Sequence, residues 1–259
     1  MKEKDEIVFQ EERRHLIIDI LSNENRVTTN FLMKKFKTTA VTIRKDFDAL
    51  EKQGLLKRTH GGAIIDTQLY KGLALNEKEK LHLEEKERIV KEAVKLISEG
   101  DTIIIDSGST TGLLSKEIKS IKRLTVITNA LNVAQELSGT DVDVIVTGGN
   151  LQKETSTLIG PLADTVLNKI SSGKYFMGVD GIDLDLGLTT PNLQEASTSR
   201  VMMKASVEVI LLVDSTKFGR RSLGIISKVK DIDRIITTKK MSELELERFA
   251  EMKVEVSIV

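Results

Sequence analysis

The sequence predicts an α/β domain with a mostly parallel sheet, preceded by a small basic helical unit that ends in a strand-turn-strand. Two patterns carry this prediction. From residue 102 to 237, short β-branched runs alternate with helical stretches and with turns rich in Gly, Ser and Asp, as expected of buried strands joined by crossover helices. From Arg26 to Ile65, nine Lys and Arg stand against three acids, a local +6 in a chain whose formal net charge is +0. At 259 residues and 40% hydrophobic content the chain has room for two cores.

Taken in order, Arg13 to Leu21 reads as a first helix, with His15, Leu16, Ile20 and Leu21 in or near the packed face. A second helix runs from Asn30 to Phe36, with Phe31, Leu32 and Phe36 inward and Lys34, Lys35 and Lys37 outward. A short turn leads to a third, Thr39 to Gln53, whose Ile43, Phe47 and Leu50 recur at i, i+4, i+7 and form one buried stripe. Thr39 suits the N-cap, and Gly54 the left-handed residue that ends the helix. Two helices at this spacing are a helix-turn-helix. Leu55 to Arg58, a turn at His60, Gly61 and Gly62, and a return through Ala63, Ile64 and Ile65 add a two-stranded wing. Arg44 and Lys45 lie in the half of the third helix that would enter a major groove, where cations reach guanine edges or phosphates. The expected contacts to double-stranded operator DNA are Lys35, Thr39, Thr42, Arg44, Lys45, Lys57, Arg58 and His60, all within a DNA-binding domain at 1–65.

Periodicity fades from Asp66 to Asn76, a linker, and resumes from Glu77 to Ser98 as one long helix with Ile89, Ala93, Leu96 and Ile97 apolar and Glu and Lys mixed on the exposed side. Residues 66–85 are therefore read as the linker and start of a connecting helix, and 86–259 as the α/β domain. Strands are expected at 102–105, 124–127, 143–146, 175–179, 208–213 and 234–237, and helices at 113–118 and 131–137. Ligands of such sheets sit beyond the carboxyl ends of the strands. Those ends carry Asp106, Ser107, Gly108, Ser109, Thr110 and Thr111, then Thr128 and Asn129, Gly148 and Gly149, Asp180 and Gly181, and Lys217. The first group precedes a helix, so amides, hydroxyls and the positive helix end would converge on an anion such as a phosphate. Asp106 and Asp180 suit sugar hydroxyls and Lys217 an anion, so the expected effector is a small phosphorylated sugar or polyol. Glu195 joins the candidate site; it and Arg200, in the segment 194–203, either close over the ligand or bind neighbouring helices.

The run ERRHLIIDIL followed by TIRKDFDALEKQGLLKRTHGGA resembles the DNA-binding domain of the DeoR family of bacterial sugar-metabolism regulators over roughly Glu12 to Ile65. It departs from the family pattern at Asn25, where a Gly is usual between the first two helices, at Thr39 in place of Ser, and at Lys45, where a second Arg is commoner; Lys lacks the bidentate fork of Arg. The stretches IDSGSTT, LTVITNALNVAQEL, VTGGNL, LIGPLA, FMGVDGID, GLTTPNLQEASTSRVMM and LLVDSTKFG resemble the sensor domain of the same family, between about Lys86 and Thr238. That resemblance implies a fold like ribose-5-phosphate isomerase and the CoA transferases. One acid usual shortly before the strand leading to Asp180 is replaced here by Ser171-Ser172-Gly173.

The chain has no Cys, which removes disulfide and thiolate chemistry and suits a reducing compartment, and its three His, at 15, 60 and 82, lack metal-ligand spacing, so neither a metal nor a cofactor is expected. Apolar runs such as Val209 to Val213 are too short to cross a bilayer, and the charged MKEKDEIVFQEERR has no hydrophobic signal core, so a cytoplasmic protein without membrane association is expected. Two functions of different class fit. One is a transcription regulator, a repressor of a carbohydrate operon, that works as a dimer or tetramer and is modulated by a phosphosugar. The other is a sugar-phosphate isomerase with an accessory DNA-binding module, since Asp106, Asp180, Glu195 and Lys217 include the groups that isomerisation needs.

Overall fold

The computed structural model describes residues 10, 13–14, 16–17, 20–21, 26–52, 56–64 and 75–259. The chain divides into two compact units, Met1–Lys71 and Gly72–Val259. His15, the Gly54 stop and the 66–74 linker lie outside the described residues.

In the first unit, helical residues at 13–14, 16–17 and 20–21 precede β1 (Arg26–Thr28), α1 (Thr29–Lys35), α2 (Ala40–Lys52), β2 (Lys57–Thr59) and β3 (Gly62–Ile64). The stripe on α2 is buried: Ile43, Phe47 and Leu50 pack with Ile17, Leu21, Val27, Leu32, Leu56 and Ala63. Two details differ from the periodicity. Phe31 is 48% exposed, and Met33 takes the inward position beside Leu32. In the first helical stretch Ile17, which the periodicity passes over, is fully buried along with Leu21, whereas Leu16 is only half-buried. The wing gains a third strand, giving the antiparallel order β1-β3-β2, because Arg26, Val27 and Thr28 pair with Ile64, Ala63 and Gly62. Gly62 is required there: a Cβ would fall 1.9 Å from the Val27 carbonyl oxygen. Thr28 then caps α1 by accepting the Phe31 amide at 3.2 Å.

In the second unit, α3 (Leu75–Lys80) and α4 (Leu83–Val94) replace the single long helix expected from residue 77, because His82 between them adopts a left-handed conformation at φ 53°. The remaining elements are β4 (Thr102–Ile105), α5 (Ser109–Glu117), β5 (Thr125–Thr128), α6 (Leu131–Leu137), β6 (Asp143–Val146), β7 (Asn150–Gln152), β8 (Thr157–Ile159), α7 (Pro161–Leu167), β9 (Ser172–Met177), β10 (Gly181–Asp183), β11 (Gly187–Thr190), α8 (Leu193–Lys204), β12 (Ser206–Val213), β13 (Gly224–Ser227), β14 (Arg234–Thr237), α9 (Glu243–Glu251) and β15 (Glu255–Ile258). Seven strands form a parallel sheet in the order β15-β14-β12-β9-β4-β5-β6.

Side chains alternate between the two faces of this sheet. Ile103, Ile105, Phe176, Ile210 and Ile236 pack under α4, α5 and α6, through Ile89, Leu114 and Val133 among others. Ile104, Tyr175, Met177, Leu211 and Ile235 pack under α7, α8 and α9, through Leu167, Met202 and Phe249. Helices thus cover both faces, which is why the strands read as continuous apolar runs. The chain winds from β4 outward to β6, returns to place β9 beside β4, and then winds the other way to β15. The direction reverses between β4 and β9, and a crevice opens beyond the carboxyl ends at such a reversal.

Candidate functional site

The exposed face of α2 is built by the same periodicity that buries the other. Arg44 and Lys45 point to solvent and make no ion pair with any described residue. The Thr39 hydroxyl accepts the Thr42 amide at 3.3 Å and shares a hydrogen bond with the Thr42 hydroxyl at 3.0 Å, so both residues set the start of the helix. Asp46, buried on the opposite side, accepts from Arg13 Nε at 2.6 Å and Arg14 Nε at 3.1 Å, which ties α2 to the first helical stretch. Lys35, Lys57, Arg58 and His60 are exposed. The Arg58 guanidinium pairs with Asp48 and its amide donates to Glu51 at 2.8 Å, both on α2, so its charge is already shared with the reading helix.

In the second unit a cleft of about 740 Å³, including its open mouth, lies beyond the ends of β4, β9 and β12, the three adjacent central strands. Of the expected effector residues, Asp106, Ser107, Gly108, Ser109, Thr110, Thr111, Asp180, Glu195 and Lys217 line it. Thr128, Asn129, Gly148, Gly149 and Gly181 do not. β5 and β6 stand one and two places beyond β4, on the side away from β9 and β12, so their ends do not reach the cleft. The Thr128 hydroxyl instead donates to the Ile105 carbonyl at 2.7 Å. Gly181 opens β10 and lies against the Arg220 carbonyl, where a Cβ would meet oxygen at 2.4 Å. Arg200 is exposed and donates to the Ile225 carbonyl at 2.5 Å, which removes it from the site and leaves Glu195 within it.

On one wall, α5 begins after Gly108 with no capping side chain, so the first-turn amides of Ser109, Thr110 and Thr111 have no acceptor within the helix. Asp106 precedes them and is 5% exposed. Its carboxylate accepts from the Tyr175 hydroxyl at 2.7 Å and from the Ser107 amide at 2.7 Å. Burial nevertheless pushes the Asp106 carboxyl up to about 7, with the charge of Glu195 adding to the rise.

The other wall carries Asp180 and Glu195. Lys78 donates to Asp180 Oδ1 at 2.6 Å, and Lys217 stands 3.9 Å from the same oxygen. Burial alone would raise Asp180, but the two ammonium groups outweigh it and hold the carboxyl below its ordinary range. Lys217 is itself lowered by burial, which its acidic neighbours Asp180 and Asp214 only partly offset. Glu195 is positioned by Asn192, whose side chain caps α8 by accepting the Gln194 and Glu195 amides at 2.8 and 3.2 Å. It accepts from the Thr155 hydroxyl at 2.6 Å and the Thr190 hydroxyl at 3.2 Å, and its carboxyl is raised by burial.

One surface therefore presents helix-start amides and hydroxyls, two ammonium groups and four carboxyls, those of Asp106, Asp180, Glu195 and Asp214, a set that can hold an anion at one end and hydroxyls along its length. Lys78, Thr155, Thr190 and Ser199 also line the cleft and were not among the expected residues. Thr190 and Ser199 lie within GLTTPNLQEASTSRVMM; Lys78, in a Glu- and Lys-rich run, carries no local signal. Among the described residues no group of three or more His, Asp or Glu could hold a metal ion, and no helix is long and apolar enough to cross a membrane.

Comparison with known proteins adds the family. Residues 13–69 match the DeoR-like helix-turn-helix domain and residues 81–239 the DeoR C terminal sensor domain. The HTH-type transcriptional regulator GolR of Listeria innocua is 34% identical over 97% of this chain and 99% of its own. The putative aga operon transcriptional repressor of Escherichia coli O157:H7 is 34% identical over 96% and 93%, and the lactose phosphotransferase system repressor of Staphylococcus epidermidis 30% over 93% and 96%. A solved D-ribose-5-phosphate isomerase in complex with phospho-erythronic acid is similar at 18% identity and TM-score 0.39 over 51% of this chain and 52% of that one, a distance at which the likeness carries no argument for fold or chemistry. With one segment matching the family's reader and another, covering more than half the chain, matching its sensor, the chain belongs to the DeoR family.

Proposed function

We propose that this chain is an operator-binding transcription repressor of a carbohydrate operon whose C-terminal cleft takes a phosphorylated sugar or polyol. The observation that carries the reading is the pairing, in one cleft, of the uncapped Ser109–Thr111 helix start with carboxyls at Asp106, Asp180 and Glu195. The amides take the phosphate and the carboxyls take the hydroxyls. Relatives named as repressors of the aga operon and of the lactose phosphotransferase system support the carbohydrate assignment. Arg44 and Lys45, with Lys35, Thr39, Thr42, Lys57, Arg58 and His60 around them, are the proposed DNA contacts.

In the proposed division of labour, 1–65 reads DNA and 86–259 senses the effector. The sensor is extended back to α3, because Lys78 pairs with Asp180. A homodimer or tetramer in the cytoplasm would place two reading helices in successive major grooves, about 34 Å apart. Repressor control follows if the effector binds the DNA-free form more tightly than the DNA-bound form.

A thermal-shift panel of phosphosugars beside their unphosphorylated parents tests the cleft, and operator titration with and without the best stabiliser tests the switch. Stabilisation by parent sugars alone would remove the phosphate subsite. Turnover of ribose 5-phosphate at an enzyme-like rate would replace the regulator with an isomerase.

A further inference from the structure

We propose that α3 couples occupancy of the cleft to the DNA-reading unit, with Lys78 as an effector-contacting residue near the N-terminal end of the second unit. The proposal rests on the cleft being the effector site. Lys78 lies between the two stretches that match the family, 13–69 and 81–239, and α3 begins at Leu75, shortly after the first unit ends at Lys71.

Three tethers hold α3 against the cleft. Lys78 donates to Asp180 at 2.6 Å, with both side chains largely shielded from water. Leu75 lines the cleft, and its amide donates to the Glu154 carbonyl at 3.0 Å, next to Thr155, whose hydroxyl holds Glu195. Lys86 of α4 is buried and donates to the carbonyls of Lys78 and Leu81 at the end of α3. Two of these tethers run into Asp180 and Glu195, the groups that would meet the sugar. A ligand that places an oxygen on Lys78 therefore binds docked α3 better than undocked α3, and by linkage it holds α3 docked. The chain entering the first unit then carries the signal.

The test uses the full chain as wild type, Lys78→Met, Lys78→Arg and Lys86→Met. Ribose 5-phosphate, glucose 6-phosphate, fructose 6-phosphate and glycerol 3-phosphate are titrated calorimetrically. Affinity for the duplex upstream of the protein's own gene is then measured with and without the tightest binder. Each variant's ratio of the two affinities is the readout, so a general loss of affinity cancels. In the wild type the ratio should be about ten-fold or more, and in Lys78→Met below about two-fold, with Lys78→Arg recovering most of it. Hydrogen exchange of the amides of 75–80 should slow on binding in the wild type and not in Lys78→Met. A Lys78→Met protein that binds the sugar phosphate and keeps the wild-type ratio overturns the coupling role and leaves the cleft standing. Should Lys78→Met lose the ligand, Lys86→Met decides, because its side chain is not part of the cleft lining: a wild-type ratio there overturns the proposal, and a collapsed ratio supports it. No binding by any of the four to the wild type sinks the cleft reading, and this proposal with it.

Discussion

Replacing Asp106 with Asn should abolish a specific pH dependence of stability. In the folded state the carboxyl sits at about 7, against 3.8 for the ordinary group, because burial opposes its charge. Between those values the folded protein keeps a proton that the unfolded chain releases. Stability from this group is full below about pH 4, falls as pH rises, and is gone above about pH 7, at roughly 1.4 kcal/mol per pH unit. Wild type should therefore lose about 2 to 3 kcal/mol relative to Asp106→Asn between pH 5 and pH 8. Asn preserves the local bonding: its carbonyl can accept the Ser107 amide, and its amino group can face the Tyr175 oxygen. Glu195, also raised, is present in both proteins and largely cancels. The chain has two Tyr and no Trp, so in a Tyr70→Phe background tyrosine fluorescence comes from Tyr175, the residue bonded to Asp106. Urea unfolding followed by that signal at pH 5, 6, 7 and 8 gives the difference directly. A difference constant to within about 0.5 kcal/mol would refute the argument that burial, not the two hydrogen bonds, governs this carboxyl.

Other outcomes follow from the same geometry. An anion seated at Ser107–Thr111 raises Asp106 further, so phosphosugar binding should take up protons near neutrality and tighten from pH 8 to pH 6; calorimetry in buffers of different ionisation enthalpy reads this, and pH-independent affinity would contradict it. Arg44→Ala should weaken operator binding by about 1 to 3 kcal/mol if the guanidinium reads a base, measured by anisotropy. Gly62→Ala drives a methyl into the Val27 carbonyl and should cost about 1 to 3 kcal/mol in the first unit; an unchanged melting profile for that unit would mean that β1 moves aside freely.

The parts of this molecule that could be read from sequence are those fixed by local pattern. The helix at 131–137 and the strands at 102–105, 143–146 and 234–237 were placed to the residue, because apolar runs between polar turns leave little choice. Phe31 is exposed against expectation because helical spacing puts it and Met33 on either side of Leu32, and only tertiary packing selects between them. The run through His82 read as one helix because Glu and Lys favour helix everywhere along it, while its break is a single left-handed residue. Three-residue strands such as β7 and β8 are too short to carry a detectable alternation. In the cleft, the phosphate-type loop was legible as a strand-turn-helix junction. Which other strand ends join it depends on sheet order: once β9 inserts beside β4, the ends at Thr128 and Gly148 are carried away and Lys78 arrives from a helix outside the sheet.

The clasp on Asp46 has an evolutionary corollary. Ile43, Asp46, Phe47 and Leu50 hold α2 in place, while Arg44 and Lys45 stand in the solvent, and the two sets have no member in common. Arg44 and Lys45 also lack ion-pair partners among the described residues, so exchanging them breaks no ion pair there. One rigid mount can therefore carry many different heads, and paralogues that diverge in what they address have no need to renegotiate how they fold.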